Sequence, residues 1–303
     1  MRRMKRVRRI SSREDIFVDT IVYIVITFVF LVTLYPFYYS LVISFNNGID
    51  AARGGIFLWP RQFTFDNYKA VFSNDQLLGA FFISVSRTVI GTIASLIATS
   101  VFAYGLSHKK LLFRKFYFSL LIISMYFTGG IIPYFILLNN LKLTNSYLVY
   151  IIPSLITAWY AILFVNFFQS IPEALKESAK IDGANDLVIF GKIIVPLSTP
   201  IFATIALYMG VYHWNDWYST AFFTQNKRLR TLAYILIDLI NRSDLTSILR
   251  GGTTQKDVAI AMQTFTPETI RMATMMVVVI PIVCVYPFLQ KYFVKGIMVG
   301  SIK

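Results

Sequence analysis

The sequence predicts an all-α membrane protein with six transmembrane helices. Three observations carry the prediction. Of the 303 residues, 56% are hydrophobic and only 15% are charged, whereas about a quarter of a soluble domain is charged. Six long stretches lack Lys, Arg, Asp and Glu: Thr20 to Ile49, Thr88 to His108, Phe116 to Leu141, Leu143 to Pro172, Ile193 to Asn215 and Met272 to Gln290. Eleven of the 29 Lys and Arg, finally, crowd into two short segments, one ahead of the first stretch and one between the second and third. Each stretch reaches the roughly 18 to 20 residues needed to cross a hydrocarbon core of about 30 Å at 1.5 Å per residue. A transmembrane barrel needs short segments alternating with period two; these stretches are apolar on both parities.

The net charge is +14, and where the cations lie gives an expected orientation. Arg2, Arg3, Lys5, Arg6, Arg8, Arg9 and Arg13 precede the first stretch, and Lys109, Lys110, Arg114 and Lys115 fill the second connection. Short segments rich in Lys and Arg stay cytoplasmic, so the N-terminus is expected inside, and six crossings return the C-terminus to the same side. Residues 1–15 form a basic cytoplasmic arm suited to anionic headgroups rather than nucleic acid, and residues 16–303 the six-helix transmembrane domain. The first stretch exceeds a signal-peptide core of about 7 to 15 residues and is read as a retained helix.

In chain order, the first helix, Phe17 to Val42, carries Pro36 near its outer end. An external loop follows with turn signals at Gly54-Gly55 and Trp59-Pro60, leading to a short interfacial helix ending at Ala70-Val71-Phe72. The second helix, Phe81 to Leu106, is rich in Gly, Ala, Ser and Thr, which let helix backbones approach closely; its Arg87 either snorkels to the interface or lines a cavity. The third contains Gly129, Gly130 and Pro133, a hinge, a piece of substrate path or a packing kink. The fourth, Leu148 to Gln169, includes Trp159, a core aromatic or a sugar platform, and Asn166.

The fifth helix starts at Pro196 and ends in Tyr212-His213-Trp214-Asn215-Asp216-Trp217-Tyr218. An interfacial belt explains the tryptophans. His213, Trp214, Asn215 and Trp217 together also suit a carbohydrate path, where apolar C–H faces meet aromatic rings and hydroxyls meet polar groups. The external loop 219–267 holds an apolar helical run, Leu232 to Ile240, and Thr266-Pro267 starts the sixth helix as cap and first residue. The one cysteine, Cys284, lies in that helix as an inert buried thiol. Two histidines and no CxxC, HExxH or P-loop motif leave no metal or nucleotide site predicted in the chain.

One polar island interrupts the apolar pattern: the connection 170–197 between the fourth and fifth helices. Ser170-Ile171-Pro172-Glu173 starts a helix, Gly183 supplies a turn, and a second short helix from Asp186 to Ile194 leads to Pro196. Periodicity by itself makes this a connector folded on the membrane face.

Motif spacing adds a second reading. Glu177-Ser178-Ala179, then Asp182-Gly183-Ala184, then Ile193 and Val195-Pro196-Leu197, resembles the EAA loop of permease subunits of binding-protein-dependent ABC importers; Ser178 stands where that family usually has Ala. Leu58-Trp59-Pro60 with Asp66-Asn67-Tyr68, Thr128-Gly129-Gly130, His213-Trp214-Asn215 and Tyr286-Pro287 through Gly296 resemble the carbohydrate-uptake class, nearest to its LplC-like and YtcP-like oligosaccharide permeases. The resemblance implies the MetI-like fold of type I ABC importers in a bacterial cytoplasmic membrane. It also implies pairing with a second, related permease, two ATPase subunits that use ATP and magnesium, and an external solute-binding protein. No cofactor is expected on this chain, which is a transport subunit and not an enzyme.

The resemblance further implies that Glu173, Glu177, Ser178, Ala179, Asp182, Gly183, Ala184 and Asn185 couple the chain to its ATPase. A permease for peptides or amino acids is the open alternative. An ion-gradient transporter is disfavoured because the uncharged stretches offer no ionisable relay, and a membrane enzyme because no catalytic constellation is present.

Overall fold

The computed structural model describes residues 13–73, 75–241 and 266–300. Most of the basic arm 1–15 and residues 242–265 of the loop 219–267 lie outside the described residues. Within them the chain is helical, with one isolated bridge between Asn46 and Phe63. The helices are α1 (Arg13–Ser44), α2 (Gly48–Ala52), α3 (Asp66–Phe72), α4 (Asp75–Ser107), α5 (Arg114–Tyr126), α6 (Ile131–Asn140), α7 (Ala158–Ser170), α8 (Glu173–Ile181), α9 (Asp186–Ile189), α10 (Val195–Leu197), α11 (Thr199–Asn215), α12 (Tyr218–Phe223), α13 (Leu232–Asn241) and α14 (Pro267–Gly300).

Three helices are by themselves long and apolar enough to cross a membrane: α1, α4 and the Pro267–Cys284 part of α14. Three further crossings are bent pairs. α5 and α6 meet at 118°, the 3₁₀ turns of Tyr147–Ser154 meet α7 at 44°, and the Asp186–Leu197 segment meets α11 at 83°. Among the described residues there are thus up to six crossings, three of them broken; of these the sequence foresees a weak point only at Gly129, Gly130 and Pro133.

Each break has a local cause. Between α5 and α6 it falls at Phe127–Gly130, where Gly130 takes φ 80 and ψ 179, a conformation essentially reserved for glycine. Pro133 does not make this break: it is the third residue of α6, where a missing N–H leaves nothing unpaired. Before α7, Pro153 lies in the 3₁₀ turn Ile152–Ser154. The carbonyls freed there are taken up by α4: Ser95 Oγ donates to Ser154 O at 2.9 Å and Thr99 Oγ1 to Leu155 O at 2.8 Å. The small residues of α4 therefore allow close approach and also satisfy backbone that lipid would leave unpaired. Ahead of α11, a π-helical stretch, Phe190–Ile194, and Pro196 and Pro200 around Ser198 turn the chain sharply.

α4 is the central post, packed by α7 and α11, while α1 and α14 run together along one flank. A core at one end joins Tyr104, Phe164, Phe168, Ile189, Ile194 and Ile205. At α14 the expected cap forms, with Thr269 N donating to Thr266 Oγ1 at 3.4 Å. Two expectations are corrected. Cys284 is exposed on the chain's surface. Arg87 neither snorkels nor lines a cavity: it is buried, with 1% of its side chain exposed, against Asp216, because α4 begins at Asp75 and carries this residue a third of the way along its length.

Candidate functional site

The connection 170–197 forms an elbow. α8 ends in a Schellman turn: Gly183 N donates to Lys180 O at 3.1 Å and Ala184 N to Ala179 O at 2.9 Å, with Gly183 at φ 81. These are the 5→2 and 6→1 bonds of that cap, and Ala179 and Ala184 are the pair whose apolar contact accompanies it. Both alanines pack against the core beneath. Asn185 then caps α9, its side-chain oxygen accepting from Val188 N at 2.9 Å. The Ala-xxx-Gly-Ala-Asn spacing is thus the sequence record of one helix stop followed at once by a helix start.

Ion pairs set the elbow's outer surface. Lys180 and Asp186 bridge α8 and α9 at 3.1 Å, and Lys109 reaches Glu173 at 3.2 Å. The Lys109 hydrogen bond and charge hold the Glu173 carboxyl below its usual pKa. Lys176 turns inward, its Nζ 3.5 Å from Phe168 O at the end of α7, where the helix dipole favours a cation; burial lowers its pKa. Glu177, Ser178 and Asp182 remain on the exposed face. Sequence reasoning missed Ile181 and Leu187, 86% and 75% exposed, which flank the glycine turn. Large apolar side chains inside a polar island were the available signal.

A second surface lies on α7 and α11. Trp159 and Asn166, seven residues apart, both lie exposed on α7; Tyr208, Tyr212 and Asn215 recur at four and three residues along the exposed face of α11. The rings of Tyr160 and Tyr208 stack across the two helices with centroids 6.3 Å apart and planes 9° from parallel. Trp217 follows, half-exposed, beyond the end of α11. Tyr134 on α6 places its ring 5.4 Å from Phe223 of α12. Gly129, Gly130 and Pro133 sit at and just after the α5–α6 break.

His213 and Trp214 belong to the opposite side of α11. His213 is buried against α4, where only a glycine fits: a Cβ on Gly91 would stand 2.7 Å from the imidazole. Trp214 Nε1 donates to Val278 O of α14 at 3.0 Å, and its ring borders an apolar cavity of about 660 Å³ between α4, α11 and α14. Both are buried in this fold, so the substrate-path grouping separates into an exposed set (Trp159, Asn166, Asn215, Trp217) and a buried pair. The tyrosines that join the exposed set were hidden in an aromatic-rich sequence, where nothing distinguishes a lipid-facing ring from one on a polar face.

Broken crossings around a central helix, with an exposed elbow at one end and a polar aromatic face along one side, define a multi-pass membrane protein. The chain belongs to the family described as binding-protein-dependent transport system inner membrane component, whose model matches residues 91–299. It is 38% identical over 288 residues to the polygalacturonan/rhamnogalacturonan transport system permease protein YtcP of Bacillus subtilis (strain 168), covering 94% of this chain and 98% of that one. To Protein LplC of the same organism it is 37% identical over 273 residues, 90% of each chain. A chain from the crystal structure of a bacterial ABC transporter that imports the acidic polysaccharide alginate superposes with a TM-score of 0.84 at 27% identity, covering 93% of this chain and 98% of that one.

Proposed function

We propose that this chain is one permease subunit of an ATP-driven importer that takes up oligosaccharides handed over by an external solute-binding protein. The relatives named for polygalacturonan/rhamnogalacturonan and alginate transport support the substrate class, and the family's description supports a binding-protein partner. In this reading the chain crosses the bacterial cytoplasmic membrane six times with both termini, including the arm 1–15, inside. The loop 219–267 faces outward, and the connection 170–197 is the cytoplasmic coupling loop. A second, related permease completes the pore, and two ATPase subunits hydrolyse ATP with magnesium.

The observation that carries the reading is the elbow: α8 and α9, locked by a Schellman turn, expose Glu177, Ile181 and Leu187. These three contact the ATPase; Ala179, Gly183, Ala184 and Asn185 set the shape of the elbow, and Glu173 ties it to Lys109. ATP-driven closure of two ATPase subunits moves two such elbows together and reorients the pore, with the α5–α6 break at Gly129-Gly130 taking up part of the change. Along the pore, Trp159, Tyr160, Asn166, Tyr208, Tyr212, Asn215 and Trp217 offer aromatic faces and hydrogen-bonding groups to successive sugar rings.

Two variants test the two surfaces separately. Losing a desolvated, hydrogen-bonded interface charge costs about 2 to 5 kcal/mol, so Glu177→Lys is expected to lose copurification with the ATPase. Full copurification with normal substrate-stimulated hydrolysis removes the elbow from the interface. Tyr208→Ala is expected to lower oligosaccharide uptake and leave basal ATPase activity; unchanged uptake removes this face from the path.

A further inference from the structure

Between α2 and α3 the chain makes an excursion that the transport reading does not use. Gly54 and Gly55, at φ 70 and 73, reverse the chain after α2. Ile56 is then buried against Val42 and Ile43 in the last turns of α1. Two residues on, Leu58 O accepts a hydrogen bond of 2.6 Å from Tyr38 Oη, one turn further back along α1. The segment therefore runs back down α1 toward the membrane instead of away from it. Arg61 fixes this shape by donating from Nη2 to Gly54 O at 2.8 Å and to Asp50 O at 3.0 Å, and from Nε to the Asp50 carboxylate at 3.1 Å. At the tip of this stapled loop, Phe57, Leu58 and Trp59 are 64%, 62% and 78% exposed.

The depth of the tip follows from the length of α1. The uncharged part of α1 begins at Thr20, and Tyr38 is eighteen residues further on, about 27 Å at 1.5 Å per residue. A hydrocarbon core is about 30 Å thick. Tyr38 thus stands at the boundary between acyl chains and headgroups, and helical side chains lean toward the N-terminus, which carries its hydroxyl no shallower. The neighbouring side chains on α1, Leu34, Tyr35 and Phe37, are themselves exposed apolar groups, so the tip continues an apolar flank of α1. Three large apolar side chains ending in Trp-Pro at that level match the interfacial chemistry of membrane-belt aromatics.

We propose that Phe57, Leu58 and Trp59 form a preformed wedge that inserts into the headgroup region of the bilayer at the C-terminal end of α1, its occupant being lipid. The wedge pins the α2–α3 segment to the bilayer. α3 in turn is tied to α1 through Asn67, whose side-chain amide donates to Ser44 O and Asn46 O at 2.9 and 2.8 Å, so the wedge sets the tilt of α1 relative to the membrane surface.

Spin labels on the assembled transporter in lipid nanodiscs test this. Cys284→Ser removes the one native cysteine; Leu58→Cys and Trp59→Cys place labels at the tip, Phe57→Cys gives a third tip position if either variant fails to assemble, and Gln62→Cys is an exposed reference beyond the staple. The ratio of oxygen to nickel-chelate accessibility is expected to be several-fold higher at the tip than at Gln62, and unchanged by saturating solute-binding protein. Tip labels as nickel-accessible as the reference overturn the proposal. So does shielding that arises only when the binding protein is added, which identifies a protein-docking surface instead.

Discussion

Arg87 on α4 and Asp216 just past α11 are 129 residues apart in sequence and joined in a buried ion pair. The guanidinium contacts the Asp216 carboxylate and donates from Nη1 to Asp216 O at 2.8 Å, while stacking over the Tyr150 ring at 4.5 Å. Asp216 also accepts from Ser219 N at 3.0 Å and Ser219 Oγ at 2.5 Å, holding the start of α12. One carboxylate thereby ties α4, α11 and α12 together. An ionisable pair does lie within the bundle, but it is internally neutralised rather than arranged as a relay.

Breaking a buried pair by removing one partner costs about 3 to 5 kcal/mol, because the other charge is left uncompensated. Asp216→Asn keeps an oxygen for Ser219 and removes the charge, so its loss isolates the pairing. Thermal unfolding of detergent-solubilised protein is expected to show Asp216→Asn and Arg87→Met each strongly destabilised. The double variant is expected to lose less than the sum; simple additivity would deny the pair.

Gly91 and His213 form a close contact between α4 and α11. A Cβ at position 91 would meet the imidazole at 2.7 Å, and overpacking of this kind costs about 1 to 3 kcal/mol. Gly91→Ala is therefore expected to lower thermal stability, and adding His213→Ala to recover part of it. If His213→Ala brings no recovery, the contact is not the cause.

At the elbow, Gly183→Ala forces a side chain into the left-handed region at φ 81, at about 1 to 2 kcal/mol. Gly183→Asn, which tolerates that region better, is expected to be milder. The measurement is substrate-stimulated ATPase activity of the assembled transporter, with the order wild type, then Asn, then Ala. Equal activity for all three would show that the turn does not matter for coupling.

Acid should loosen the staple between α2 and α3. The Asn46 hydrogen bond, followed by the Arg61 contacts, holds the Asp50 carboxyl below its ordinary value of 3.8. A depressed folded-state pKa stabilises above the unfolded value and is lost as pH falls through the folded one. Amide exchange in residues 54–61 is expected to be flat from neutral pH down to about 4 once corrected for intrinsic rates, and to accelerate below 3.8. Asp50→Asn should exchange rapidly throughout; a flat wild-type profile at low pH would rule the staple out as the cause.

The elbow and the broken crossings were legible to different degrees. Glu177 through Ala184 stood out through its resemblance to the family's motif, while the turn itself was legible at Gly183, because a Schellman cap needs a left-handed residue and that requirement is local. Ile181 and Leu187 stood out only as large apolar side chains in a polar island; that they are exposed was not legible, since exposure depends on what the rest of the chain covers. The Gly129-Gly130 break was visible, but its cause was not: the sequence points to Pro133, whereas the conformation of Gly130 ends the helix before the proline is reached.

Composition and the spacing of uncharged stretches determined the helical membrane class, because lipid imposes length and internal hydrogen bonding on any chain that crosses it. Local chemistry likewise determined the elbow's turn and the cap of α14. Tertiary structure decided the pairing of Arg87 with Asp216 and the burial of His213 and Trp214 away from the tyrosine face. It also decided that a loop rich in aromatics turns back along α1. These depend on which helix faces meet, and a helix apolar on all sides carries almost no periodic signal of that choice.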